Sequence, residues 1–170
     1  MPKRRALRRH NSPLLLAKDR STYWKFSFLR NKDATIRIAP KKLEQLKERV
    51  REITSRTRGI SMKRRIEELN RYLMGWIGYF RLASAKTHCE KLDEWIRRRL
   101  RMYLWKQWKL PKTRLRNLRA LGVPEWAARM IAYSRRGCWE MSRNINNALN
   151  RSYWNDQGLL SLTSRYLEIR

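Results

Sequence analysis

The chain has 170 residues, in which 42 lysines and arginines face 14 aspartates and glutamates, giving a formal charge of +28. Such an excess costs self-repulsion in any compact fold, so it points to a polyanionic partner. A hydrophobic content of 42% with eight tryptophans excludes a purely disordered basic tail and leaves room for one domain or two small ones.

Residues 1–21 are basic and without a clear period, and read as a flexible arm. Lys3, Arg4, Arg5, Arg8 and Arg9 imitate the start of a signal peptide, but Leu14–Ala17 is shorter than the usual apolar stretch of about 7–15 residues. Residues 22–39 hold two runs rich in aromatic and β-branched residues, TYWKFSFL at 22–29 and ATIRI at 34–38. They flank Asn31-Lys32-Asp33, which predicts a short hairpin. Isolated, it would be marginally stable.

A first helix is predicted after Pro40, a residue suited to a first turn. Leu43, Leu46, Val50 and Ile53 form its apolar stripe, Gly59 reads as its stop signal, and Ser61 as the cap of the next helix. In that second helix Ile66, Leu69, Leu73, Trp76, Ile77 and Phe80 share one apolar face, with Asn70 embedded in it. Tyr72 to Phe80 runs nine residues without a charge, well short of the roughly 20 a membrane span needs. Gly75 and Gly78 fall on the opposite side, in line with Arg64 and Arg71, and each costs about 1 kcal/mol relative to alanine. Two readings remain open: close approach of another helix, or close approach of an RNA backbone guided by Arg64 and Arg71. Tyr72 and Tyr79 flank the same groove.

A third helix is predicted over 88–109. Leu92, Trp95, Ile96, Leu100, Tyr103 and Leu104 make its core face, and Arg97, Arg98, Arg101, Trp105 and Trp108 cluster opposite. That second cluster is either another packing face or a surface of guanidiniums for phosphates and rings for bases. Beyond Pro111 the segments shorten. Leu115, Leu118 and Leu121 have helical spacing among Arg114, Arg116 and Arg119; Pro124-Glu125 starts another helix; Arg135-Arg136-Gly137 reads as a basic turn. Met141, Ile145, Ala148 and Leu149 predict one more helix, and Leu159, Leu162 and Tyr166 a last one.

The chemistry of an enzyme is not visible. The acids sit beside cations, and Glu67-Glu68 and Asp93-Glu94 read as solvated ion-pair faces. His88 adjoins Cys89 with no third group to orient the pair. Cys89 and Cys138, the two cysteines, form no C-x-x-C pair, which disfavours a disulfide framework or zinc site and fits a reducing, cytoplasmic compartment. There is no Gly-rich phosphate loop. The expectation is no catalytic residue, no metal and no cofactor.

The residues carry a resemblance. IEELNRYLMGWIGYFRLA at 66–83 and LDEWIRRRLRMYLWKQWK at 92–109 resemble the maturase-specific region of group II intron-encoded proteins. Its pattern, Leu-Asn-x-x-Leu-x-Gly-Trp-x-x-Tyr-Phe, is filled by Leu69, Asn70, Leu73, Gly75, Trp76, Tyr79 and Phe80. TRLRNLRALGVPEWAARMIAYSRRGCW and QGLLSL are similar to the tails of bacterial members, and 26–61 to the junction from the reverse-transcriptase palm into the thumb. The departures are Trp24-Lys25-Phe26, where the family often has Leu-Gly-Phe, and the absence from this sequence of the palm's Tyr-Ala-Asp-Asp motif and of an HNH-type endonuclease.

The resemblance implies a mainly α fold: a thumb-type helical bundle over 40–109, the small N-terminal β-hairpin at 22–39 and a helical C-terminal extension over 110–170. It implies a non-catalytic chain that binds group II intron RNA and assists its folding and splicing, a free-standing remnant of a longer protein. Wheel geometry and charge select Arg64, Arg71, Arg97, Arg98, Arg101, Trp105, Arg114, Arg116, Arg135 and Arg136 as RNA-binding. Two alternatives stand beside this: the thumb piece of a split or truncated polymerase that docks on a separate fingers–palm chain, and a DNA-binding protein using 112–136 as a helix–turn–helix-like reader. Target DNA is a further expected partner; a membrane is not.

Overall fold

The computed structural model describes residues 26–28 and 36–170. The arm at 1–21 and the turn at Asn31-Lys32-Asp33 lie outside the described residues. Strand β1 (Phe26–Phe28) pairs antiparallel with β2 (Ile36–Ile38), Phe26 opposite Ile38 and Phe28 opposite Ile36. The rest is helical: α1 (Pro40–Ile53), α2 (Met62–Tyr79), α3 (Lys86–Gln107), α4 (Pro111–Ala120), α5 (Glu125–Ala132), α6 (Cys138–Asn144), α7 (Arg151–Asp156) and α8 (Leu162–Glu168). The protein is mainly α, as the sequence predicts.

The stripes read from the sequence become the core. Leu46, Val50 and Ile53 of α1 meet Ile66, Leu69, Leu73 and Ile77 of α2 and Leu92, Ile96 and Leu100 of α3, all buried. β2 joins this bundle through Ile38, which is buried, and through the Ile36 carbonyl, which accepts from the Ser84 amide at 2.8 Å. The helices begin where the signals place them. Pro40 opens α1, and the Ser61 hydroxyl accepts the Arg64 amide at the start of α2 at 3.3 Å.

The end of α1 differs from expectation. It stops at Ile53, six residues before Gly59, because its last carbonyls are taken from the side. Thr54 Oγ1 donates to the Val50 carbonyl at 2.6 Å. Arg65, fully buried, donates from Nη1 to the carbonyls of Ile53 and Ser55 and from Nη2 to that of Arg58. Its guanidinium lies 3.8 Å over the Tyr103 ring, and the Tyr103 hydroxyl donates to the Ile60 carbonyl at 3.0 Å. The 54–60 connection is thereby pinned at both ends.

The C-terminal helices lie across the bundle: α6 and α8 pack on α3, α8 also touches α2, and α4 pairs with α5. Gly122, at φ 77°, supplies the left-handed residue that ends α4. The single helix expected around Met141–Leu149 is instead α6, a run of turns to Leu149, then α7. Its backbone is diverted because Arg101 Nε donates to the Ser142 carbonyl at 2.7 Å, while Arg101 Nη1 and Trp154 Nε1 both donate to that of Leu149. Asn150 then caps α7 by accepting the Tyr153 amide at 3.0 Å.

Two polar residues of the bundle fix the last helix. Asn70, embedded in the apolar face as read, donates to the Gly158 carbonyl at 2.7 Å and accepts the Leu160 amide at 2.9 Å. Asp93 corrects its solvated reading. It is 6% exposed and accepts from the Leu162 and Thr163 amides and the Ser161 and Thr163 hydroxyls, all within 3.0 Å. The carboxylate of α3 thus caps α8, where amides at a helix start would otherwise lack partners. Replacing Asp93 by Ala should cost about 3 kcal/mol in urea denaturation, since several charge-assisted bonds go together. Amide exchange at Leu162 and Thr163 should rise before the bundle unfolds; unchanged stability would show that the cap contributes nothing.

Candidate nucleic-acid interface

The two readings of α3 are decided by its packing. Arg101 is 4% exposed and Trp105 1%, both covered by the C-terminal helices. Burial, with Arg97 and Arg98 adding repulsion, pushes Arg101 down to about 10, so it still enters the interior charged at neutral pH. Trp105 lies against Trp108 at 6.2 Å between ring centres and under the Arg114 guanidinium at 4.5 Å. Arg114 is also tied to the Trp108 carbonyl at 2.8 Å. Arg98 stacks 3.9 Å from Trp139 and donates to Ser142 Oγ at 3.3 Å. Of the two readings the packing face holds, because α6 sits on this side of α3. Arg101 and Trp105 therefore present nothing to a ligand; Arg98 and Arg114 are half-covered and engaged, and Arg97 is half-covered, its pKa lowered by burial.

The opposite holds for the glycine face of α2. No helix approaches it among the described residues: Gly75 and Gly78 are exposed, and a Cβ built on either meets nothing within 4 Å. Beside them runs a groove of about 460 Å³, floored by Leu46. Lys42 and Gln45 of α1 form one wall, and Arg71, Tyr72, Gly75, Trp76, Tyr79 and Phe80 the other. A smaller hollow continues along α2 between Arg64, Glu67, Glu68 and Arg71. Glu68 is occupied by Arg58, two bonds at 3.0 and 3.1 Å that hold its carboxyl below the usual range. Arg64 and Arg71, both exposed, keep their guanidiniums free of any ion pair among the described residues.

The third basic region is the α4–α5 hairpin and the turn after it. Arg116, Arg135 and Arg136 are exposed, and no carboxylate pairs with them among the described residues. Glu125 neutralises its neighbours instead: Arg119 forks both its oxygens and Arg129 Nε reaches it at 2.6 Å. These two guanidiniums hold the Glu125 carboxyl down to about 2.

Residues 43–122 match the family model described as the group II intron, maturase-specific domain. The chain carries a maturase-specific domain. No curated protein matches the chain. The matched segment runs from α1 to the Gly122 turn, so both walls of the groove, with Arg64 and Arg71, belong to the maturase-specific domain apart from Lys42 at its margin. Arg135 and Arg136 lie beyond it. The match gives the chain a group II intron maturase-related role. Among the described residues no helix is long and apolar enough to cross a membrane. Cys89 is fully buried and its thiol is pushed up to about 12 by that burial, so the Cys89–His88 neighbours make no thiolate nucleophile.

Sequence reasoning missed Lys42 and Gln45, which reach the groove from another helix and have no local signature. It also passed over Trp126, Met130 and Tyr133, which are 69%, 69% and 60% exposed on α5. Their spacing was visible but is the same spacing that marks a core stripe.

Two outcomes follow from these environments. Arg101→Ala should lose about 2–4 kcal/mol in chemical denaturation, because carbonyls and a buried cation's site are left unpaired, while Arg116→Ala stays within about 0.5 kcal/mol. Equal effects would refute the assignment of buried and open cations. In a carboxyl NMR titration Glu125 should stay ionised until about pH 2. Its folded pKa is depressed, so its contribution to stability is complete above the unfolded value and fades only as pH falls through the folded one. A midpoint near the free glutamate value would remove the Arg119–Glu125–Arg129 cluster.

Proposed function

We propose that the chain binds structured group II intron RNA and assists its folding and splicing, with no polymerisation of its own. The observation that supports this most directly is the groove on α2. There Gly75 bares the helix backbone, Arg71 is free to meet phosphate, and Tyr72, Trp76 and Tyr79 offer ring surface, all in a maturase-specific domain. A glycine face with nothing from the described residues against it can admit a sugar–phosphate backbone closer than any side chain would allow. The mechanism is electrostatic: cations offset phosphate repulsion where RNA segments must approach, and shape is read more than sequence.

Within this reading Arg64 and Arg71 are the principal contacts. Arg116, Arg135 and Arg136 extend the surface, and Arg97, Arg98 and Arg114 contribute from half-covered positions. Functionally the chain divides into the arm at 1–21, the hairpin at 22–39, the bundle at 40–109 and the extension at 110–170, although packing runs across the last boundary. Target DNA is a second partner that the α4–α5 hairpin favours, since two short helices joined by a glycine-containing turn can present one helix to a groove.

The test is binding at graded salt. A surface engaging on the order of five phosphates gives a slope of log affinity against log salt near roughly −4. Folded intron RNA should outcompete an unstructured RNA of equal length at high salt, and Gly75→Leu should erase that preference without lowering the melting temperature. Primer extension with template, nucleotides and magnesium should yield no product. Equal affinity for both RNAs at every salt concentration would reduce the protein to a non-specific polycation, and tighter binding to duplex DNA would favour the second reading.

A further inference from the structure

Helix α5 turns its small residues inward and its large apolar ones outward. Ala128 and Ala132 are fully buried against the fold, while Trp126, Met130 and Tyr133 stand in solvent. At about 100° per residue these three share one stripe, opposite the alanines. A soluble surface rarely exposes a tryptophan, a methionine and a tyrosine in one line without a use for them.

The surroundings say what kind of partner covers it. Between residues 111 and 143 there are eight lysines and arginines against two glutamates. One of those glutamates, Glu125, is consumed by Arg119 and Arg129 at the edge of the stripe. Arg116, Arg135, Arg136 and Arg143 are exposed around the hairpin. An apolar protein partner would have to bury this unpaired charge. A nucleic-acid strand brings phosphates for the cations and flat bases for the rings.

We propose that the Trp126–Met130–Tyr133 stripe is a stacking platform for an unpaired RNA strand. The choice of RNA rests on the function proposed above; the stacking rests on α5 alone. Trp126 and Tyr133 are seven residues apart, about 10 Å along a helix axis. That is roughly three steps of a stacked strand at about 3.4 Å each. The two rings bracket a few bases, Met130 fills the space between them, and the arginines follow the backbone. Paired bases hide their faces in the duplex, so the platform selects single strand over duplex without reading sequence.

The experiment uses the full chain with two probes, an oligouridylate of about twelve nucleotides and a blunt RNA hairpin with the same number of phosphates. Trp126→Ala should weaken oligouridylate binding about tenfold, as expected for loss of one stacked base, and hairpin binding by less than twofold. Trp126→Phe should retain most of the affinity, and Tyr133→Ala should repeat the loss from the other end. The salt slope should not change, because no phosphate contact is removed. Equal losses on both probes, or none on either, would overturn the proposal. So would tighter binding of oligothymidylate than of oligouridylate, which would make the strand DNA, or a wild-type dimer in sedimentation that Trp126→Ala abolishes, which would make the cover a second copy. Loss of the preference for folded intron RNA with an intact Trp126 effect would sink the maturase function alone.

Discussion

Arg65 and Arg101 take full positive charges into the interior of a chain whose 42 cations outnumber its acids three to one. Neither meets a carboxylate among the described residues. Each is neutralised by main-chain carbonyls, one in the last turn of a helix (Ile53 for Arg65, Ser142 for Arg101) and the others in the connection that follows it, and Arg65 adds the face of Tyr103. This substitution of carbonyls for carboxylates shapes the fold. Arg65 ends α1 and orders the 54–60 connection; Arg101 ends α6 and turns the chain toward α7.

Because the buried cations draw on the backbone, the scarce carboxylates are free for other work. Asp93 caps α8, Glu68 anchors Arg58, and Glu125 joins two arginines across the α4–α5 hairpin. Arg64, Arg71, Arg116, Arg135 and Arg136 are left facing outward, without an ion pair among the described residues. A surface of this kind is stable only while solvent and counterions screen it, and it gains when those counterions are released to a polyanion. The same charge imbalance therefore sets both the interior hydrogen bonding and the nature of the ligand.

The α2 helix shows how the two demands are kept apart. One face holds Leu69, Leu73 and Ile77 in the core, with Asn70 reaching the chain between α7 and α8. The other is bare at Gly75 and Gly78 and bordered by arginine. The core face resists substitution through packing; the bare face carries a helix-propensity cost that no contact within the described chain offsets.

The sequence by itself determined the helical class, the stripes of α1, α2 and α3, the Ser61 cap, the Pro40 start and the maturase-specific domain over 43–122, because each is written in local periodicity or in a contiguous motif. The antiparallel pairing of the two strands was legible for the same reason. What it left undecided was which of two amphipathic faces a neighbour covers. Arg97, Arg98, Arg101 and Trp105 on α3 form the same pattern on a helical wheel whether they meet RNA or another helix, and only the later elements resolve it, α6 meeting Arg98 and Arg101 and Arg114 of α4 covering Trp105. The same holds for Asp93, whose partners lie on α8. Gly75 and Gly78 could have met a helix, and the described residues leave them open. Trp126 and Tyr133 could have been core, and it leaves them in solvent. Periodicity fixes which residues share a face; only the tertiary arrangement supplies the atoms that bury it, because burial is a property of pairs of elements distant in sequence.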